Sequence, residues 1–221
     1  LKISLRPRLQ DLQILFFAGI IAITLWLVMI PLIFLIWSSF HLAPSPLQEA
    51  PLGLKNYITA YSSPATYKML LNTTWFALGS VSIGLSLGVG FAWLLERTNV
   101  PLKDYLYAMI PLPMVIPGML GAIAWILILS PRIGVLNLGL MSLFGLEKAP
   151  FNVYTIGGMF FVMGIRMVPT MFLMMVGAFR SMDPSLEEAS SISGTGILHT
   201  LRRITLPLMF PAIASAAIYS F

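Results

Sequence analysis

The charged residues of this chain are gathered into short segments, leaving 12–40, 69–95 and 105–131 without a single Asp, Glu, Lys or Arg. Each run exceeds the roughly 20 apolar residues that a helix needs to cross the hydrocarbon core of a bilayer. A fourth run, 151–179, is interrupted only by Arg166, and a fifth begins at Leu206. Lipid offers a backbone no hydrogen-bond partner, so segments of this kind must satisfy their own amides as helices. The pattern predicts an all-α polytopic membrane bundle, one domain over 1–221, with spans at 12–40, 69–95, 105–129, 151–179 and 206–221. Composition agrees, because 58% hydrophobic and 10% charged residues leave too few charges to solvate a water-soluble globule of this size.

The last run has sixteen residues before the chain stops on Phe221, and the first residue is Leu1. Sixteen residues are too few to cross, so the expectation is a domain truncated at its C-terminus. The basic start, Lys2, Arg6 and Arg8, precedes an apolar run much longer than the 7–15 residues of a signal peptide, with no A-x-A site after it, and reads as an uncleaved first helix.

Placing the N-terminus inside puts eight basic residues on inner segments (Lys2, Arg6, Arg8, Arg97, Lys103, Arg180, Arg202, Arg203) and four on outer loops (Lys55, Lys68, Arg132, Lys148). That asymmetry is the positive-inside signature. It explains the net charge of +5 without nucleic acid, since the basic residues form no stripe interleaved with aromatics. With no Cys, disulfides and thiolate metal sites are excluded.

Between the spans, the first outer loop carries Pro44, Pro46, Pro51, Gly53 and Pro64, with one short helix expected over 54–61. A second short helix is expected in the apolar, Gly-rich stretch around 134–140. In the second span Gly84 and Gly88 form a G-x-x-x-G pair, with Ser82, Ser86 and Gly90 at the same four-residue interval, suited to close helix contact. Packing inside this bundle and contact with a second membrane subunit both fit. Pro111, Pro113, Pro117 and Gly118 kink the third span, as broken helices do along transport routes.

Four crossings from an inside N-terminus bring the chain back to the cytoplasm at Arg180, so 181–205 is an inner loop. Asp183 and Pro184 read as a helix start. Leu186, Ala189, Ser190 and Ser193 fall on one face, Gly194 suits a left-handed cap, and Thr195 could cap a second helix through Leu198, Leu201 and Arg202. Pro207 marks entry to the fifth span.

This loop carries Glu188-Ala189-Ser190, three residues, Gly194, nine residues, then Ile204-x-Leu206-Pro207. The register resembles the cytoplasmic "EAA" loop of permeases in binding-protein-dependent ABC importers of type I, with Ser190 where that family usually has a second Ala. The resemblance implies that Glu188, Ala189, Ser190, Gly194, Ile204, Leu206 and Pro207 form a coupling helix and closing motif docked to an ATPase. It also implies three partners: ABC ATPase subunits, an extracytoplasmic substrate-binding protein and a second permease half, fused or separate. The segments 129–134, 149–152 and 179–189 further resemble the first half of fused ferric-iron and thiamine permeases. That branch implies ferric iron as cargo, or else thiamine or a polyamine.

Arg166, near the middle of the fourth span, is a candidate for the substrate path, with pairing to carbonyls freed near Pro169 as its structural alternative. His41 and His199 sit at opposite sides and cannot share a metal or a nucleophile. No P-loop and no opposed carboxylates occur in the spans, so no catalytic residue, cofactor or metal is expected and ATP chemistry must come from another subunit. Met171, Met174 and Met175 recur at helical spacing and read as packing. An ATP-independent secondary transporter or channel is the alternative function.

Overall fold

The charge-free runs are helical in a computed structural model of the chain, which describes residues 6–41 and 52–221, with side chains from residue 12 onward at the N-terminus. Lys2, Pro44, Pro46 and Pro51 lie outside the described residues, as do the side chains of Arg6 and Arg8. Among the described residues, four helices are long and apolar enough to cross a membrane, and a bent pair would make a fifth crossing. The chain divides into two units, Leu1–Met69 and Leu70–Phe221.

In the first unit, α1 (Arg6–Ser39) is apolar on every face from Ile14 onward and α2 (Lys55–Ser62) realises the short helix expected in the loop. Asn56 holds α2 to the end of α1 by donating Nδ2 to the carbonyls of Ser39 and His41 at 3.1 and 2.9 Å. The hydroxyls of Ser39 and Tyr57 add a contact of 2.7 Å.

In the second unit the core is built where α3 (Pro64–Arg97), α7 (Ile156–Ser181) and α10 (Leu206–Ser220) meet. Val89, Ala92 and Leu95 pack against Met171, Phe172, Met175, Val176 and Phe179, and Met209 and Ala216 close the cluster. Glycine permits the approach of α3 to α7. A Cβ on Gly88 would stand 2.4 Å from the Cβ of Met171, and one on Gly84 would stand 2.8 Å from that of Met167. Gly164 answers from α7, where a Cβ would meet that of Ile83 at 2.7 Å. The G-x-x-x-G pair is therefore an intrachain seam, while Ser82 and Ser86 are exposed. Met171 and Met175 are fully buried, but Met174 is 37% exposed and stands outside the core.

The third span departs from the expected single kinked helix over 105–129. It comprises α4 (Lys103–Met109), a 3-10 turn (Leu112–Val115) and α5 (Gly118–Leu129), with a bend of 100° at the break. Three prolines within seven residues remove three amide donors, more than one kink can absorb, and the chain leaves the helix altogether. This broken segment still carries the chain from one side of the bundle to the other. Arg97, at the end of α3, donates to carbonyls of Phe179 and Met182 at the end of α7, so the two helices run parallel and terminate together.

The far end is fastened by one side chain. Asn137, fully buried on α6 (Val135–Phe144), directs Nδ2 at the carbonyls of Leu129, Ser130 and Phe151 within 3.1 Å and accepts the Phe151 amide at 3.0 Å. Phe151 pairs both of its backbone groups with this side chain, and the Leu129 and Ser130 carbonyls, which also accept the Val153 and Gly134 amides at 3.4 and 2.8 Å, gain a second donor.

Candidate functional site

The motif loop folds as two short helices joined by a tight turn. α8 (Ser185–Ile192) starts one residue later than a cap at Asp183 predicts, with Pro184 at the N-cap position, yet Asp183 Oδ1 still accepts the Ser185 amide at 3.0 Å. Gly194 has φ of +77°, in the left-handed region. The Thr195 amide bonds the Ser190 carbonyl at 3.1 Å and the Gly194 amide bonds that of Ser191 at 3.0 Å. Those two bonds are a Schellman closure, which needs a residue at ease with positive φ and explains glycine at 194.

Thr195 does not cap the second helix. Gly196 takes the N-cap of α9 (Ile197–Thr200), without a side-chain bond. α9 then widens into a π turn (Leu201–Thr205) that feeds α10 without interruption. Pro207 lacks the amide that would bond the Arg203 carbonyl, and the ladder adjusts one turn earlier, where the Leu206 amide reaches back to the Leu201 carbonyl.

The residues that the periodicity groups on one face of α8 do not share one environment. Leu186, Ala189 and Ser193 are exposed, whereas Glu187 and Ser190 are partly buried. Ser190 and Thr200 hydroxyls lie 2.8 Å apart and bridge α8 to α9. Glu187 Oε2 is 2.8 Å from Arg97 Nε, an ion pair whose N–H is not aligned on the oxygen, and Glu187 Oε1 accepts from the Thr205 hydroxyl. Polar pairing with the end of α3 fixes the orientation, and apolar periodicity does not. Glu188, beside Glu187, is left exposed. Ile204 and Leu206 are partly buried and flank buried Thr205, while Pro207 is exposed.

Counting charges by side assigned Arg97 and Arg180 only a place. Their partners lie 82 and more residues away for Arg97 and 84 for Arg180, beyond any local pattern. The one local hint was the adjacency of Glu96 and Arg97 at a helix end.

Arg166 belongs to a different place. A cavity of about 760 Å³ lies within the second unit, lined by α3, the broken α4–α5 segment and α7, with Phe91, Trp125 and Tyr154 among its aromatics. Arg166 is exposed and is the one charged residue among the described lining. The described hydrogen bonds and ion pairs of arginine belong to Arg97 and Arg180, so the alternative pairing of Arg166 with carbonyls near Pro169 is not formed. Its guanidinium rests where a Cβ on Gly118 would be, 2.4 Å from Nη2, so the glycine at the start of α5 makes room for it. The coupling candidates and Arg166 thus form two sites. No group of three or more His, Cys, Asp or Glu residues suited to a metal occurs among the described residues.

Residues 80–221, well over half of the chain, match the family model of the binding-protein-dependent transport system inner membrane component. The trehalose/maltose transport system permease protein MalF of Thermococcus litoralis is 25% identical over 97% of this chain and 74% of its own length. The inner membrane ABC transporter permease protein YdcU of Escherichia coli (strain K12) is 31% identical over 86% of this chain and 64% of its own. For the galactooligosaccharides transport system permease protein GanP of Bacillus subtilis the figures are 24%, 70% and 38%. The chain thus spans from 38% to 74% of the length of these relatives. A crystal structure of a bacterial alginate ABC transporter, in complex with alginate pentasaccharide-bound periplasmic protein, has a similar fold, with a TM-score of 0.73 at 20% identity over 96% of this chain and 72% of that one. Where these names print a cargo it is a saccharide, so the expectation of ferric iron, thiamine or polyamine finds no support in them.

Proposed function

The chain belongs to the binding-protein-dependent transport system inner membrane components, and from that premise we propose that it is a permease subunit of an ATP-driven importer, lining half of a substrate path. It would work with ABC ATPase subunits, an extracytoplasmic substrate-binding protein and a second permease half. The observation that carries this reading is the loop 181–205: a Schellman turn at Gly194 presents exposed Glu188 and Ala189 on a short helix that is anchored by its other face. An exposed carboxylate on a rigidly held helix is suited to a charge-assisted bond with a basic or amide partner. The small side chain of Ala189 lets that exposed face enter a groove, while Ser190 holds the other face to α9. The N-terminus and this loop face the cytoplasm in this reading, supported by the excess of basic residues there.

The cargo is neutral or anionic, and a saccharide fits best. Ferric iron, thiamine and polyamines all carry positive charge, while the cavity presents a guanidinium beside the N-terminus of α5, whose free amides add positive potential. Aromatic side chains such as Trp125 and Tyr154 suit the apolar faces of sugar rings, in keeping with the saccharides named for the relatives.

The test is reconstitution of the full permease with its ATPase and binding protein in proteoliposomes. Glu188→Arg and Gly194→Trp are expected to abolish ATP-dependent uptake while insertion persists. Transport untouched by both would favour an ATP-independent carrier or channel.

A further inference from the structure

Two consecutive residues of opposite charge end α3, and their side chains diverge by about 100° around the helix, so they reach different neighbours. Glu96 Oε1 accepts from Arg180 Nε at 2.8 Å and from the Tyr107 hydroxyl, joining α3 to α7 and to α4. The Arg180 guanidinium also lies over the Tyr107 ring, 5.4 Å from its centroid. Arg97 faces the other way. Its Nη2 donates to the carbonyls of Phe179 at 2.9 Å and Met182 at 3.0 Å at the end of α7, where the Phe179 carbonyl also accepts the Met182 amide at 3.3 Å. Its Nε pairs with Glu187 on α8, and Glu187 in turn accepts from Thr205 in the π turn. Charges that only set topology would be solvated. Here the side chains of Arg97 and Glu187 are 17% and 14% exposed, and that of Glu96 is 13% exposed.

We propose that Glu96 and Arg97 form the joint that makes energy coupling stiff. Arg97 locks α8 to the ends of α3 and α7, and Glu96 extends the same joint through Tyr107 to α4, the first half of the broken segment that lines the cavity. Without the joint, displacement of α8 is absorbed by the few residues between Ser181 and Ser185. With it, the displacement reaches the break beside Arg166. Neither residue touches cargo or nucleotide, so both are positioning residues. The inference rests on the proposed coupling function of the loop.

The experiment measures uptake and ATP hydrolysis together in proteoliposomes holding the complete transporter, giving cargo moved per ATP. Arg97→Met and Glu187→Gln are expected to keep the ATPase bound and hydrolysing while the ratio falls about fivefold or more, the factor corresponding to one lost hydrogen bond of about 1 kcal/mol. Arg97→Lys, which keeps the charge and loses the fork, is expected to recover part of the ratio. Tyr107→Phe and Thr205→Val remove one hydroxyl bond each with little change of volume, so they test the joint even where the larger changes prevent assembly. A wild-type ratio in these two variants overturns the joint while leaving the permease function standing. Wild-type uptake indifferent to ATP, with no ATPase co-purifying, overturns the function itself and the joint with it.

Discussion

A guanidinium within a span costs roughly 2.5–3.5 kcal/mol on insertion scales, so a chain that retains one must give it a use or a partner. Arg166 has the cavity for its surroundings and Gly118 as the notch that receives it. If it meets cargo hydroxyl or carboxylate groups, removing it loses one charge-assisted hydrogen bond, about 2 kcal/mol or roughly thirtyfold in affinity. Arg166→Ala is therefore expected to abolish or deeply depress uptake of the proposed cargo at low concentration, with membrane insertion and ATPase binding intact. Initial rates in proteoliposomes check this, and unimpaired uptake would remove Arg166 from the path. Asn137 shows the complementary case at the same scale. It was visible only as one polar letter in an apolar Gly-rich run, and its role emerges because four backbone groups converge on one side chain.

At the scale of elements, helices in a membrane gain little from the hydrophobic effect and associate through close packing. The seam of α3 with α7 is the clearest instance. Adding a Cβ at Gly88 meets the Met171 Cβ at 2.4 Å and the backbone nitrogen of Phe172 at 3.0 Å, neither of them the free end of a flexible side chain. Gly88→Val is expected to destabilise by about 1–3 kcal/mol, as overpacking does. Gly90→Ala, with nothing within 4 Å, serves as the neutral control. Thermal unfolding of the detergent-solubilised permease separates the two, and equal melting temperatures would show that the seam tolerates separation.

Much at this scale was legible because its signals are local: charge-free runs for the spans, Gly84 and Gly88 for the seam, Gly194 for the turn. Proline spacing gave the position of the break in the third span, but not its 100° bend, which depends on how many amides are lost together and on what packs around them. The anchor of α8 was not legible for a related reason: it is an ion pair between Glu187 and a residue far away in the sequence, which no local periodicity can show.

At the largest scale, the end of the second unit at which the motif loop lies follows from one hydrogen-bonded contact rather than from counting spans. Arg97 bonds the last carbonyls of α7, so α3 and α7 end on the same side, and the segment between them must cross once despite its bend. Were that segment re-entrant, α7 would start on the side where α3 stops and end on the other, and the contact could not form. α6, fastened by Asn137 to the end of α5 and the start of α7, then lies on the side opposite to the motif loop. The chain has no Cys, so single substitutions can report this cleanly. Ser142→Cys on exposed α6 is expected to react with a membrane-impermeant maleimide in right-side-out vesicles, whereas His199→Cys, exposed on α9, is expected to react only after permeabilisation. Labelling of both from one side would make the broken segment re-entrant. Labelling of His199→Cys alone in sealed right-side-out vesicles would invert the orientation, and the ATPase could then not reach the loop.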